Sequence, residues 1–172
     1  MTKKSVHGFT LVEMMAVVTI LGIALAIAIP SVTSFIAKER LRSAAGDWRS
    51  AFSLAKSEAT KRNIPLYFVI SANPSTEPGT WSLIVSTASS CALNAACDIK
   101  SLRSTEYKGI QVTALDEDLN GASIGTSRPL PSFSTTQSIT LTNTWGSIQL
   151  SMSPTGLVSQ CSTPAMRDYP EC

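Results

Sequence analysis

The sequence predicts an α+β protein, in which one long N-terminal helix is followed by an antiparallel β domain. Two changes of pattern along the chain predict this. An apolar stretch, Phe9 to Ile29, runs into a segment of helical periodicity that ends near Arg62. Beyond that point apolar and polar residues alternate, which is typical of strands with one buried face. We therefore expect four segments: a basic leader at 1–8, an anchor at 9–29, an amphipathic helix at 30–62 and a β head at 63–172.

The apolar stretch is long enough to cross a membrane. Its 21 residues are interrupted only by two threonines, one glutamate and one glycine. As a helix they would span roughly 31 Å, about the thickness of a bilayer core. Because Lys3 and Lys4 precede it, we expect a cytoplasmic leader and a translocated head. Two alternatives are a plain membrane anchor and an ordinary secretory signal peptide cleaved after Ala26-Ile27-Ala28.

The helical pattern continues beyond Pro30. Apolar residues recur there at steps of three or four, and charged residues occupy the other face. Trp48 and Phe52 fall on the apolar face, so we expect them in the core of the head rather than in a binding site. The helix should end near Arg62, because Asn63 and a proline at position 65 follow.

Short runs of alternating residues predict five strands in the head. The predicted strands are Leu66–Ile70, Trp81–Val85, Ile110–Val112, Ile139–Leu141 and Ile148–Met152. Turn residues separate them at 73–75, 77–79, 129–131 and 153–156, and Asn143-Thr144-Trp145-Gly146 is typical of a hairpin turn. The stretch 120–138 has the least regular pattern, and we expect a long loop there.

A single acid interrupts the start of the anchor. Glu13 lies four residues after Phe9, and a carboxylate inside a membrane helix costs a few kcal/mol. The block from Gly8 to Glu13 resembles the type III signal of type IV pilins and type II secretion pseudopilins. The resemblance implies that a prepilin peptidase cuts between Gly8 and Phe9 and methylates the new amino group of Phe9. It also implies that Glu13 pairs with a neighbouring subunit's N-terminal ammonium and sets the assembly register, and that Pro30 kinks the helix.

Three further segments resemble the GspH/FimT family of minor pilins and pseudopilins, in particular its FimU-like members. They are Leu54–Arg62, Gly79-Thr80-Trp81 and Ile148–Gly156. The resemblance implies a pilin-like fold, in which a β-sandwich-like head of antiparallel sheets packs on the second half of the helix. It implies an inner-membrane precursor with a periplasmic head, which is incorporated into a type IV pilus, in its priming or tip complex. A minor pseudopilin of a type II secretion system is the alternative.

The resemblance also implies partners. These are the prepilin peptidase, other minor and major pilins or pseudopilins, and the lipid of the inner membrane. No cofactor is implied.

The head contains all four cysteines of the chain. A translocated head would lie in an oxidising compartment, where disulfides form. Three connectivities exist, and the pairing of nearest neighbours in sequence, Cys91 with Cys97 and Cys161 with Cys172, is favoured. The spacings are not those of a zinc site, and the only histidine, His7, lies in the leader.

The charges argue against nucleic-acid binding by the head. The segment 31–62 carries seven basic and three acidic residues, whereas 63–172 carries five basic and eight acidic residues. A net charge of −3 over 63–172 is a poor match for phosphate backbones. Some members of the resembled family bind DNA through an arginine-rich C-terminal tail, but the tail of this chain has one arginine, Arg167, among two acids. A DNA-binding competence pilin (FimT-like) therefore remains only a second alternative.

The sequence contains little catalytic chemistry. Without His7 no histidine is left to act as a base for a serine or cysteine nucleophile, so we expect no enzymatic activity. Asp116, Asp118 and Asn120 have the spacing of the first half of a calcium loop, but Ser127 stands where that loop needs its bidentate acid. They are a weak metal candidate, and a solvated acidic turn is the preferred interpretation.

Overall fold

The computed structural model describes residues 8–172, with the backbone alone at residues 27, 28 and 30. Lys3, Lys4 and most of the predicted leader therefore lie outside the described residues. The chain divides into two compact units, Met1–Ile36 and Ala37–Cys172. The second unit contains the β head together with the C-terminal part of the long helix.

Helix α1 spans Leu11–Arg62, and its helical backbone is not interrupted at Pro30. Within the head unit one face of α1 is buried at steps of three or four residues. The buried residues are Leu41, Ala44, Ala45, Trp48, Ala51, Phe52, Ala55 and Ala59. Five alanines on this face let the helix lie close to the sheets, since they add no bulk beyond Cβ. The helix ends at Arg62, and Asn63 follows it with φ 53°, the left-handed conformation common just after helix ends.

Two antiparallel four-stranded sheets form the rest of the head, which confirms the predicted fold class. The strands are β1 Leu66–Asn73, β2 Glu77–Ser86, β3 Asp98–Arg103, β4 Gln111–Leu115, β5 Ser123–Ile124, β6 Gln137–Thr142, β7 Ser147–Met152 and β8 Val158–Thr163. The first sheet has the order β3-β2-β1-β5, and the second has the order β4-β6-β7-β8. All pairings are antiparallel.

Aromatic side chains connect α1 to the first sheet. Phe52 meets Phe68 of β1 edge-to-face, with ring centroids 5.0 Å apart. Trp48 contacts Trp81 of β2 at a centroid distance of 5.5 Å. Large aromatic side chains bury the most apolar area per residue, so these pairs are the centre of the core. The prediction that Trp48 and Phe52 belong to the core is confirmed.

Each of the five predicted strands overlaps an observed strand, and the predicted hairpin turn is present. Asn143 N–H donates to the Gly146 carbonyl at 2.9 Å between β6 and β7. The turn predicted at 77–79 is wrong, because β2 already begins at Glu77, which pairs with Asn73. The sequence also missed β3, β5 and β8. β5 lies inside the predicted long loop, where it pairs with only two residues of β1, Leu66 and Tyr67.

Candidate assembly site

The start of α1 is capped by a threonine. The Glu13 backbone N–H donates to Thr10 Oγ1 at 3.2 Å, and the Met14 N–H donates to the Thr10 carbonyl at 3.3 Å. Thr10 is therefore the N-cap residue that precedes α1, and Glu13 is the third residue of the helix. The Thr-x-x-Glu spacing is that of a capping box. The Glu13 carboxylate thus lies in the first turn, where the partial positive charge of the helix N-terminus favours an anion.

The residues around the predicted cleavage site are accessible. Gly8 and Phe9 precede the helix, and 76% of the Phe9 surface is exposed. Glu13 is exposed as well. Because Gly8 and Phe9 lie outside the hydrogen-bonded helix, the peptide bond between them is not protected by helical structure.

The first part of α1 has an apolar surface, and its described side chains are not covered by other parts of the described chain. It contains a stretch that is long and apolar enough to cross a membrane by length and composition, and that stretch is fully unburied. Among the side chains that the structure describes between positions 11 and 29, eleven large apolar ones are exposed. They are Leu11, Val12, Met14, Met15, Val17, Val18, Ile20, Leu21, Ile23, Leu25 and Ile29. In water such a surface is unfavourable by the hydrophobic effect, so this segment requires lipid or other protein around it.

Two disulfides join the four cysteines in the pairing that the sequence favours. Cys91 is bonded to Cys97, six residues away, and Cys161 is bonded to Cys172, eleven residues away. The second bond attaches the C-terminus to β8. Arg42 of α1 also holds this tail through an ion pair of 2.7 Å with Asp168.

Two of the three side chains of the weak metal candidate, those of Asp116 and Asn120, accept hydrogen bonds within the head. Asp116 Oδ2 accepts hydrogen bonds from the backbone N–H and the hydroxyl of Ser138, at 2.8 and 3.0 Å. Asn120 Oδ1 accepts the Ile70 N–H at 2.8 Å. Within residues 8–172 no group of three or more histidine, cysteine, aspartate or glutamate residues is arranged to hold a metal ion. These contacts favour the interpretation as a turn.

Sequence profiles match both parts of the chain. The profile described as "Prokaryotic N-terminal methylation motif" matches residues 3–29. The profile described as "Type II transport protein GspH" matches residues 44–160, more than half of the chain. The chain belongs to the GspH family. None of the curated proteins compared with this GspH-family chain matches it.

Among solved structures, the GspH-family chain resembles the type IV minor pilin FimU of Pseudomonas aeruginosa in two crystal forms. In one form the sequences are 17% identical, the TM-score is 0.52, and the match covers 74% of this chain and 98% of FimU. In the other the identity is again 17%, the TM-score is 0.54, and the coverage is 77% and 97%. The likeness shows a shared pilin fold.

One structural feature of this GspH-family chain, the helix cap at Thr10, was not predicted from its sequence. Thr10 interrupts the apolar run, and the Thr-x-x-Glu spacing that it forms with Glu13 is a known signature of helix starts. The ion pair between Arg42 and Asp168 had no sequence signal, because its partners lie 126 residues apart and meet only through the fold.

Proposed function

We propose that this protein is a minor pilin of a type IV pilus, a structural subunit of its priming or tip complex. The prepilin peptidase would cut between Gly8 and Phe9 and methylate the Phe9 amino group. The mature subunit would wait in the inner membrane with its head in the periplasm. During assembly Glu13 would pair with the N-terminal ammonium of a neighbouring subunit, while Pro30 would let the helix bend.

The observation that carries this proposal is the presence of the methylation motif at residues 3–29 and the GspH profile at residues 44–160 in one chain. The uncovered apolar surface of the first part of α1 supports it, because a lone apolar helix needs lipid or other subunits around it. The exposed Glu13 supports the assigned role, since two opposite charges in lipid relieve each other's loss of hydration when they pair.

The first test is the intact mass and N-terminal sequence of the protein purified from its native membrane. We expect a chain that begins at N-methylated Phe9. A chain that begins near Ile29 would indicate a secreted head without an anchor, and an unprocessed Met1 would indicate a plain membrane tether. Either of these results would contradict the proposal.

The second test is Glu13→Ala, the first of our mutational predictions. Processing at Gly8 should continue, because the cut precedes the helix. Incorporation into sheared pili should be lost, since breaking a buried ion pair costs about 3–5 kcal/mol. The matched control is Glu39→Ala, which removes an acid from the same helix beyond the anchor and should leave incorporation unchanged. Normal incorporation of Glu13→Ala would contradict the assigned pairing.

A minor pseudopilin of a type II secretion system is the second candidate, because the family profile is described by that transport system. Deleting the gene of this protein and then measuring surface pili and type II secretion separately distinguishes the two. For a minor pilin we expect the protein to be required for surface pili and dispensable for secretion. The reverse result would support the pseudopilin.

A further inference from the structure

A shallow groove runs along the solvent-facing side of α1 in the head. Its floor consists of Arg49, Ser53 and Lys56, on successive turns of the helix. The turn between β7 and β8 and the start of β8, Thr155–Val158, form one wall and enclose about 290 Å³. Pro129 lies beside Ser53 and Lys56 in the adjoining depression. We call this surface the basic groove.

The two cations of the basic groove have no acidic partner among residues 8–172. Lys56 Nζ is half-buried and donates to the Gly156 carbonyl at 2.9 Å. Arg49 makes only a long contact of 3.5 Å with Gln160 Oε1. The ion pairs of the described residues lie elsewhere, between Arg42 and Asp168 and at the end of α1 around Glu58. A carboxylate supplied from outside would therefore meet two positive charges that no acid of residues 8–172 pairs with.

An apolar side chain stands on the wall of the basic groove. Leu157 is 69% exposed, more than any other large apolar residue of 37–172. Its position is well defined, because the Ser153 N–H donates to the Leu157 carbonyl at 2.9 Å and the Leu157 N–H donates to Ser153 Oγ at 3.2 Å. A leucine held outward beside unpaired cations is typical of a protein contact, where an apolar centre is accompanied by charges at its rim.

We propose that the basic groove docks an acidic segment from the head of another pilin subunit, with an apolar residue of that segment covering Leu157. This inference rests on the proposed function, which places other pilin subunits beside this head. Arg49 and Lys56 are two helical turns apart, about 10 Å along the axis. An extended segment presents every second side chain on the same face, about 7 Å apart, because a strand rises about 3.3 Å per residue. Carboxylates at two such positions lie within reach of Arg49 and Lys56, since both of these side chains are long and bend at several bonds.

A nucleic acid fits the basic groove less well. Phosphate backbones are bound by clusters of several lysines and arginines, whereas this groove has two unpaired cations. The β part of the head, 63–172, also has a net charge of −3, which would repel a second stretch of phosphates.

The partner can be captured by photo-crosslinking in the native membrane. The photoreactive residue p-benzoylphenylalanine replaces Leu157 in the full-length protein, so that an apolar group remains at the site. We expect an adduct in which mass spectrometry finds an acidic peptide of a different pilin subunit. Two kinds of adduct would overturn the proposal, one with a second copy of this chain alone and one with nucleic acid. The absence of any adduct would overturn it as well.

The variant Ser53→Asp blocks the basic groove from within. Position 53 lies four residues after Arg49 and three before Lys56, the spacings at which helical ion pairs form. The new carboxylate should pair with either cation, which halves the net positive charge of the basic groove and slightly stabilises the helix. We expect the adduct yield at position 157 to fall at least roughly tenfold, a change of about 1.4 kcal/mol in binding, while the level of the protein in the membrane stays the same.

The matched control is Ser43→Asp, the same substitution at another exposed serine of α1. It lies about 15 Å from Ser53 along the helix, beside Arg40 in a different depression. The adduct yield should remain at the wild-type level. Equal losses in both variants, or no loss in Ser53→Asp, would overturn the proposal. If N-terminal processing and the Glu13 requirement hold in the same strains, the proposed function stands and only the docking site fails.

Discussion

Tyr107 joins the helix to the sheets through a hydrogen bond and a ring contact. Its hydroxyl donates to Asp47 Oδ2 of α1 at 2.9 Å, and its ring stacks on Trp81 at a centroid distance of 5.7 Å. Burial raises the pKa of Tyr107 above its ordinary value, and the hydrogen bond to the negatively charged Asp47 raises that pKa further. The folded head therefore holds the tyrosine proton more tightly than the unfolded chain does.

The raised pKa of Tyr107 predicts how stability depends on pH. A proton held more tightly in the folded state stabilises the head below the unfolded tyrosine pKa of about 10, and this contribution is lost as the pH rises above it. In an ultraviolet titration we expect a tyrosine that ionises well above pH 10, and this component should disappear in Tyr107→Phe. That variant should also be about 1 kcal/mol less stable at neutral pH. A wild-type titration without a late component would contradict the prediction.

Gly146 lies in the turn between β6 and β7, where a larger residue has no room. A Cβ atom there would come within 2.5 Å of the Thr163 carbonyl oxygen and 2.7 Å of Pro164 Cδ. We expect Gly146→Ala to cost about 1–3 kcal/mol in the free energy of unfolding, the usual cost of overpacking. Gly79→Ala is the control, because a Cβ at position 79 meets nothing within 4 Å. Equal unfolding midpoints for the two variants in a denaturant titration would contradict this steric argument.

At the scale of elements, the C-terminal tail protects the outer edge of the second sheet. β8 is the last strand of that sheet. The Ser162 N–H donates to the Pro170 carbonyl at 2.9 Å, and the Cys172 N–H donates to the Ser162 carbonyl at 3.4 Å. The disulfide between Cys161 and Cys172 fixes this arrangement. An exposed strand edge is a template for unwanted pairing, so the tail acts as a cover for part of β8.

Removing this disulfide should uncover the edge of β8. In the double variant Cys161→Ser/Cys172→Ser we expect faster amide exchange at Ser162 and a loss of about 2.8 kcal/mol, from the loop-entropy relation for an eleven-residue separation. The control is Cys91→Ser/Cys97→Ser, which should lose about 2.2 kcal/mol by the same relation for six residues. Its Ser162 amide should exchange as in the wild type. Unchanged protection of Ser162 in the first variant would show that the tail holds without the bond.

At the scale of the whole molecule, the chain contains one compact unit that has its own core. The unit Ala37–Cys172 includes the two sheets and the buried face of α1. The preceding segment has an apolar surface and no buried side chains among those described. The head should therefore depend little on the anchor for its stability.

We expect a fragment of residues 37–172, prepared under oxidising conditions, to fold alone and to unfold in one cooperative transition. Circular dichroism and near-ultraviolet spectra recorded during heating measure this directly, and the two signals should change together. A fragment that shows helical signal but no fixed aromatic environment would contradict the prediction. The same fragment with both cysteine pairs replaced by serine should unfold at a lower temperature.

Local pattern was sufficient for the elements whose signal lies within a few residues. The helix to Arg62, the alternating strands β1, β2, β6 and β7 and the hairpin turn at 143–146 were each predicted from their own residues. Strands β3, β5 and β8 were not predicted from the sequence. β3, Asp98–Arg103, has only one fully buried residue, Leu102, and β8 likewise has only Ser162. An edge strand with only one buried position has no alternation of buried and exposed residues in its sequence. Such a strand forms because it pairs with the neighbouring strand.

The parts of this protein that act through local chemistry are readable from the amino-acid sequence alone. The apolar run, the acid at Glu13 and the glycine at position 8 are properties of a continuous segment, and they carry the match to the methylation motif and the assembly hypothesis. The tertiary structure alone decided which distant side chains meet. Tyr107 hydrogen-bonds Asp47, and Arg42 forms an ion pair with Asp168. The turn before β8 lies beside α1 and forms the basic groove with it. These contacts join residues 60 to more than 100 positions apart, and they exist only because burial of the apolar face of α1 brings both sheets onto one helix.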